Sequence, residues 1–271
     1  MQTDSEPQTH IRGSIAVQVA EHCSGEVLPR IDQVVEEAPC VLTYNDIAHA
    51  TMMATPTDLA DFAVGFSLAE GIVDASNDIY SIDVRPAGIG YEVQMRLSAR
   101  CFARLKSRRR SLLGSSGCGL CGVESLETML PALTPLAYQF SLPQSLLNQA
   151  VAHLSQARPA PREAGALHTA LFISATGERL MARHDVGRHN ALDKLIGALA
   201  AAHIQAQSGL AIVSSRASFE MVAKCASAGI STLVSVSAPT SMAVKWAVDL
   251  NMNLIGFAGS TRHVVYCSQH Q

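Results

Sequence analysis

The stretch Leu210-Ala-Ile-Val-Ser-Ser-Arg-Ala-Ser-Phe-Glu-Met-Val-Ala-Lys-Cys-Ala-Ser-Ala-Gly-Ile-Ser-Thr-Leu-Val-Ser-Val-Ser-Ala-Pro-Thr-Ser-Met-Ala-Val-Lys-Trp-Ala-Val-Asp-Leu-Asn-Met-Asn-Leu-Ile-Gly-Phe257 decides the fold. Short apolar runs over 210–214, 232–237 and 254–257 read as buried strands, and the longer segments between them, 218–228 and 240–251, carry helical periodicity. Strands alternating with helices imply right-handed crossovers and a largely parallel sheet with helices on its faces. Working upstream, a helix is expected over 188–204. Before it comes a hairpin, 167–174 with 179–186, around Ala175-Thr-Gly-Glu178. In such sheets ligands bind beyond the carboxyl ends of the strands. The candidate rim is therefore Ser214, Ser215, Arg216, Ser237 and the segment 258–262.

The N-terminal half reads as α+β. Strands are expected over 15–20, 34–44 and 48–53. Thr55-Pro-Thr-Asp58 has the form of a helix start, with Thr55 as N-cap, Pro56 as first helical residue and Asp58 as its acidic partner. That helix runs through Leu59, Phe62, Ala63, Phe66 and Glu70 to Gly71. Strands over 79–84 and 91–97 follow, then a helix over 99–113. Prolines 131, 135 and 143 mark the change of character. The expected organisation is a flexible tail over 1–13, an N-terminal α+β domain over 14–140, and a C-terminal α/β domain over 141–271.

Of 271 residues, 48% are hydrophobic and 16% charged, which excludes a disordered chain. No apolar run approaches the ~18–20 residues needed to span a bilayer, and the polar start has neither a basic n-region nor an apolar h-region. A cytoplasmic location is expected. A net charge of −3 is not that of a general polyanion binder. The seven cysteines, an odd number, do not make a secreted disulfide framework, and Cys23, Cys40, Cys101, Cys225 and Cys267 read as small buried hydrophobes.

Chemistry concentrates in Gly114-Ser-Ser-Gly-Cys-Gly-Leu-Cys-Gly122. Glycine-rich backbone resists helix and strand, so a mobile loop is expected, and a helix over 123–130 would put Cys121 near its N-terminus. A helix N-terminus favours a thiolate. Other readings of the pair are weaker. Structural zinc wants a second C-x-x-C or a tight histidine pair, and Gly187 interrupts His184 and His189. A redox dithiol wants a fixed geometry that four glycines do not supply.

Arg96, Arg100, Arg104, Lys106, Arg108, Arg109 and Arg110 form a basic stretch, either a solvated helix face or a grip for an anionic ligand. Nucleic acid is not expected, because no aromatic residues interleave it. The run His184-Asp-Val-Gly-Arg-His-Asn-Ala-Leu-Asp-Lys194 is dense in polar groups at a strand-to-helix turn. There Asp185 reads as a capping residue, with Arg188 and Lys194 facing solvent, or the run is a site. His168 reads as a core histidine more readily than as a catalyst. The amides of Ser214-Ser-Arg-Ala-Ser218 suit a phosphate.

Gly117-Cys-Gly-Leu-Cys-Gly122, the run 184–194, Ser214-Ser-Arg-Ala-Ser-Phe-Glu-Met-Val222, Leu254-Ile-Gly-Phe257 and Phe62-Ala-Val-Gly-Phe-Ser-Leu-Ala-Glu-Gly71 together resemble the formate dehydrogenase accessory sulfurtransferases, the FdhD family. The likeness runs from about residue 26 to the C-terminus. It implies a protein that takes sulfur from a cysteine desulfurase as a persulfide on Cys118. The sulfur then passes to the molybdenum (or tungsten) bis-guanine-dinucleotide cofactor needed by formate dehydrogenase.

Cys121 takes a supporting place, with its role open. By the same resemblance the cofactor contact is Phe257, Ala258, Gly259, Ser260, Thr261 and Arg262, with guanosine diphosphate as a mimic of one cofactor end. Glycine at 259 would permit a turn there, and Arg262 would supply charge. Gly259 stands where many relatives carry a basic residue, and Ala166 where many carry glycine. The resemblance further implies a cytidine-deaminase-like C-terminal domain and a homodimer. Trp246, on the helix over 240–251, suits either a core or an interface. Deamination itself is not implied, since Leu167-His168-Thr169-Ala170 lacks the glutamate of the zinc deaminases. A second reading from another class is a non-catalytic chaperone for the same cofactor. No metal site is expected.

Overall fold

Ala170, Phe172, Ala211, Val213, Leu233 and Leu254 form one apolar layer, and Leu171, Ile173, Leu210, Ile212, Val234 and Ile255 form another. The period of two along each strand sends neighbours to opposite faces, and here both faces are buried. The computed structural model describes residues 12–113, 133–137, 142–158 and 165–268. The strands carrying these layers are β7 (His168–Ser174), β8 (Arg179–Asp185), β9 (Gly209–Val213), β10 (Thr232–Ser235), β11 (Asn253–Gly256) and β12 (Val264–Cys267). Their order is β12-β11-β10-β9-β7-β8.

The sheet is mixed, where a largely parallel one was expected. β9, β10 and β11 pair in parallel, while β7 runs antiparallel to both β8 and β9, and β12 antiparallel to β11. The β7–β8 pair is the expected hairpin, closed around Thr176-Gly177 with no room for a crossover, and the departures are β7 lying antiparallel to β9 and the added edge strand β12. β8 through β11 nevertheless all point the same way, so their carboxyl ends share one rim.

Four helices cover this sheet. The helices α4 (Arg188–Ala201), α5 (Phe219–Ser227) and α6 (Ser241–Asp249) lie over one face, and α3 (Gln144–Ala157) over the other. Each of α4, α5 and α6 begins at the rim, because each follows a strand that ends there.

The N-terminal half builds a second sheet, in the order β4-β3-β6-β5, from β3 (Ala38–Tyr44), β4 (Ile47–Ala54), β5 (Ile79–Ala87) and β6 (Gly90–Leu97). Cys40, Leu42, Tyr44, Val93, Met95 and Leu97 pack on Leu59, Phe62 and Ala63 of α1 (Leu59–Ala69) and on Cys101 and Leu105 of α2 (Ala99–Leu113). Fully burying a side chain such as Phe62 is worth about 1.5–3 kcal/mol. The Tyr44 hydroxyl donates to Ser67 Oγ at 2.8 Å, and that hydroxyl donates onward to Ala63 O at 2.6 Å. Gly71, at φ 62, ends α1: its amide donates to Leu68 O, and Ile72 N–H donates to Ser67 O.

Several expected boundaries move. The single strand expected over 34–44 is the end of one strand and all of the next. β1 (Ser14–Cys23) and β2 (Glu26–Val35) form a separate ribbon, closed by Ser24 and Gly25, both at positive φ in the manner of a two-residue hairpin. Thr55 is not the N-cap of α1. Asp58 holds that position at φ 52 with no side-chain cap, and Thr55 is committed elsewhere, as described below. Of the scattered cysteines, Cys40, Cys101 and Cys225 are buried as expected, but Cys23 is exposed at the ribbon tip and Cys267 is half-buried on the edge strand β12. Trp246 is partly buried against the core and meets Phe219 edge-on, with ring centroids 6.0 Å apart. Among the described residues no helix is long and apolar enough to cross a membrane.

Candidate functional site

At the rim, the loop after β10 and the loop after β11 are stitched together. Phe257 N–H donates to Ser237 O at 3.2 Å and Ala258 N–H to Ser235 O at 3.0 Å. Ser235 Oγ lies 2.7 Å from Ser215 O and accepts the Ser237 amide at 3.2 Å, which ties in the loop after β9. Ser214 belongs to the ladder, exchanging bonds with Thr169 through its amide and its hydroxyl. The sequence-read rim residues therefore do meet on one edge, held by their own backbones.

The segment 257–262 departs from expectation in one respect. The residue at positive φ is Phe257, at 51°, and Gly259 is not in the left-handed region. A Cβ on Gly259 would meet Arg262 O at an ordinary 3.6 Å. The turn thus comes from Phe257, held by the two amide bonds to the β10 loop, and from Gly259 N–H donating to Arg262 O at 2.9 Å. Ser260, Thr261 and Arg262 are exposed, Ala258 is buried in the core, and the Arg262 guanidinium lies 5.5 Å over the Phe257 ring.

Further cations reach this edge. Arg216 is exposed beside the start of α5. Arg188, the first residue of α4, has a buried Nε with no hydrogen-bond partner. Burial lowers the pKa of His168, and the nearby Arg188 and Arg158 lower it further, with Asp185 working against them. A rim with unspent guanidinium donors at the N-termini of helices suits an anionic group.

Asp185 and Lys194 are not a surface cap and a solvated lysine. They form an ion pair of 2.6 Å with both side chains fully buried. The Asp185 carboxylate also accepts from the Thr55, Gly187 and Asn190 N–H groups, and Lys194 Nζ donates to Thr55 O at 2.9 Å. Thr55 Oγ1 accepts the Val186 amide at 3.2 Å. The polar run 184–194 is therefore a clamp on the N-terminal half, with His189 as its outward-facing member.

His189 Nε2 lies 2.8 Å from Glu220 Oε2 and 3.4 Å from Ser218 Oγ, and His189 and Glu220 both line a cavity of about 500 Å³. The cavity lies between β4, α1, α4 and α5, with Met52, Phe66 and Phe219 among its walls and Glu70, Asp193, Glu220 and Lys224 as its charges. Lys224 Nζ holds Asp193 and Glu70, each at 3.0 Å. Burial raises the Asp193 pKa to about 6 although Lys224 draws it down. Burial works against the Lys224 ammonium, but the two carboxylates more than offset it and hold its pKa above the ordinary value. This cavity was missed in the sequence because its walls come from four elements far apart in the chain. The one local signal was a lysine four residues after Glu220 on an otherwise apolar helix.

Part of the basic stretch is already spent. Arg100 and Arg104 pair with Asp74, Arg100 also with Asp78, and Arg104 donates to Ile72 O. Asp74, Asp78 and Cys101 lie close enough to share an ion, but the two arginines occupy that charge. Cys118 and Cys121, the loop expected over 114–122 and the helix expected over 123–130 lie outside the described residues, as do residues 1–11.

Residues 35–271 match the FdhD/NarQ family. The chain is 44% identical over 263 residues to the sulfur carrier protein FdhD of Cupriavidus necator, covering 97% of this chain and 90% of that protein. It is 46% identical over 235 residues to the sulfur carrier protein FdhD of Bordetella petrii, covering 87% and 84%. Its fold is similar to the crystal structure of a putative formate dehydrogenase accessory protein from Desulfotalea psychrophila, with a TM-score of 0.74 at 21% identity, over 94% of this chain and 97% of that one.

Proposed function

The chain belongs to the FdhD/NarQ family, and from that premise we propose that it is a cytoplasmic sulfurtransferase serving formate dehydrogenase, with Cys118 as the persulfide carrier. A cysteine desulfurase presents a persulfide. The Cys118 thiolate attacks its outer sulfur, the desulfurase leaves as a thiol, and the sulfur is retained as Cys118–S–S⁻ with no external oxidant. The recipient is the molybdenum bis-guanine-dinucleotide cofactor, handled as cargo. Delivering the sulfur as sulfide requires two electrons, supplied by a thiol that closes a disulfide with Cys118, and replacing Cys121 alone and measuring transfer decides whether it is that thiol.

The observation that supports the reading is the rim: the N-termini of α4, α5 and α6, the unpaired Arg188 Nε after β8, and the exposed Arg216 after β9 and turn 260–262 after β11 lie along the same carboxyl-end rim of the sheet, and such groups suit the pyrophosphates of a cargo of this kind. Guanosine diphosphate should bind there and protect 257–262 from hydrogen exchange, and Arg262→Ala should weaken it. A homodimer is part of the proposal, as is the cytidine-deaminase-like character of the C-terminal half.

The decisive functional test is rescue. In cells lacking their own copy, the wild-type chain should restore formate oxidation and Cys118→Ala should not. Rescue by Cys118→Ala would favour the second reading, a cofactor chaperone without sulfur chemistry.

A further inference from the structure

The ribbon of β1 and β2 has no second layer. Its strands are ten residues each, and beyond Ser14, at the base, neither strand has a buried residue. Ile15, Val27, Leu28, Ile31 and Val34 are each about half exposed. Two strands alone are at best marginally stable in water, and three or more are needed for independent stability. The Arg30 charge is spent inside the ribbon, on Glu21 at 3.2 Å and Asp32 at 2.9 Å, so it does not call for a charged partner.

The two outer edges of the ribbon differ. Glu36 N–H donates to Gly13 O at 2.8 Å, and with Ser14 opposite Val35 this bond sets the alternation along the ladder. Odd residues of β1 and even residues of β2 therefore bond inward. Ala16, Gln18, Ala20 and His22 on β1, and Val27, Pro29, Ile31 and Gln33 on β2, turn their backbone groups outward. The β2 edge is closed at two of these places: Pro29 has no N–H, and the Gln33 amide donates to Asp32 Oδ1 at 3.1 Å. The β1 edge carries no proline, and among the described residues nothing accepts from its four outward amides.

We infer that β1 is a strand-addition edge, and that its occupant is β1 of a second copy of this chain, paired antiparallel about a two-fold axis near Val17. That pairing sets Ile15, Val17 and Val19 of one chain beside Val19, Val17 and Ile15 of the other, on one face. The product is a four-stranded sheet with β2 on both outer edges, where the interrupted β2 edges stop growth at two chains. A foreign strand would be selected by side-chain pockets, which an isolated ribbon has no second layer to form. A two-fold axis makes the same strand complementary to itself. The inference rests on the homodimer of the proposed function and adds the strand that makes it.

Proline substitution on the two edges tests it. Gln18→Pro removes an outward amide and leaves the inward bonds of Val17 and Val19, while Ile31→Pro, directly opposite on the ladder, does the same to the β2 edge. Wild-type full chain should sediment as a dimer, with the Ala16, Gln18 and Ala20 amides protected from hydrogen exchange. Gln18→Pro loses two bonds per dimer by symmetry, so its dissociation constant should rise about tenfold or more. Ile31→Pro should dimerise like the wild type.

Val17→Lys, which leaves the backbone intact and suits Asp32 opposite it, should also weaken the dimer by setting two charges at the axis. A dimer unchanged by both Gln18→Pro and Val17→Lys would overturn the inference. So would equal weakening by Ile31→Pro, or β1 amides that exchange freely in the dimer. Each of these leaves the homodimer of the proposed function standing, whereas a wild type that stays monomeric removes both.

Discussion

Lys194 and Asp185 form an ion pair at 2.6 Å from which solvent is wholly excluded, and both partners also grip the backbone of Thr55. Removing one member leaves the other as a buried charge. Lys194→Met should therefore cost about 3 kcal/mol or more in urea unfolding. The double variant Lys194→Met with Asp185→Asn should recover part of that loss, because the stranded carboxylate is gone. A single variant as stable as the wild type would mean that the pair contributes nothing to holding the two halves together.

Gly65 of α1 and Gly197 of α4 let these helices touch backbone to backbone. A Cβ on Gly197 would enter the Asp61 carbonyl oxygen, and one on Gly65 the Asp193 carbonyl oxygen. Neither neighbour is a flexible side chain that can move aside. Gly197→Ala should lower stability by about 3 kcal/mol, the upper end of ordinary overpacking. Gly259→Ala should be nearly neutral in stability, since its Cβ would meet only an ordinary contact. Chemical denaturation of the two variants side by side checks the contrast.

Acid should weaken the fold. Burial lowers the pKa values of His168, His184 and His189, the nearby arginines adding to the effect at His168 and Glu220 opposing it at His189. Unfolded, these imidazoles take up protons near pH ~6.5, which the folded state resists, so stability falls as pH drops through that value. Asp193 acts in the opposite sense, because its folded pKa of about 6 lies above its ordinary 3.8. It is one group against three. The melting temperature should be lower near pH ~5.5 than near pH ~7.5, and His184→Gln should shrink the difference. A melting temperature that rises on acidification would contradict this balance.

Much of the C-terminal half was legible because strong period-two and helical patterns alternate there, with Thr240 capping α6 through the Ala243 amide. The basic helix over 99–113 appears with the same bounds. The N-terminal ribbon was not legible. Pro29 falls inside β2, where an isolated two-stranded ribbon tolerates it, and Glu36-Glu37 carries no turn residue to announce the break before β3. β12 was missed because it is a four-residue edge strand with little local signal.

Within the candidate site, the rim could be placed from the rule that ligands lie beyond strand ends. The positive φ of Phe257 could not, because a large aromatic residue is held there only by tertiary bonds to the β10 loop. Thr55 misled for the same kind of reason: a good local cap is outbid by Asp185, Val186 and Lys194, which the chain brings to it from 130 residues or more away.

The central claim is that Cys118 carries sulfur. Incubating the protein with a cysteine desulfurase and cysteine, then measuring intact mass, tests it most directly. The wild type should gain about 32 Da, one sulfur atom, in an adduct that a thiol reductant removes. Cys118→Ala should gain nothing, whereas the same adduct on Cys118→Ala would contradict the account.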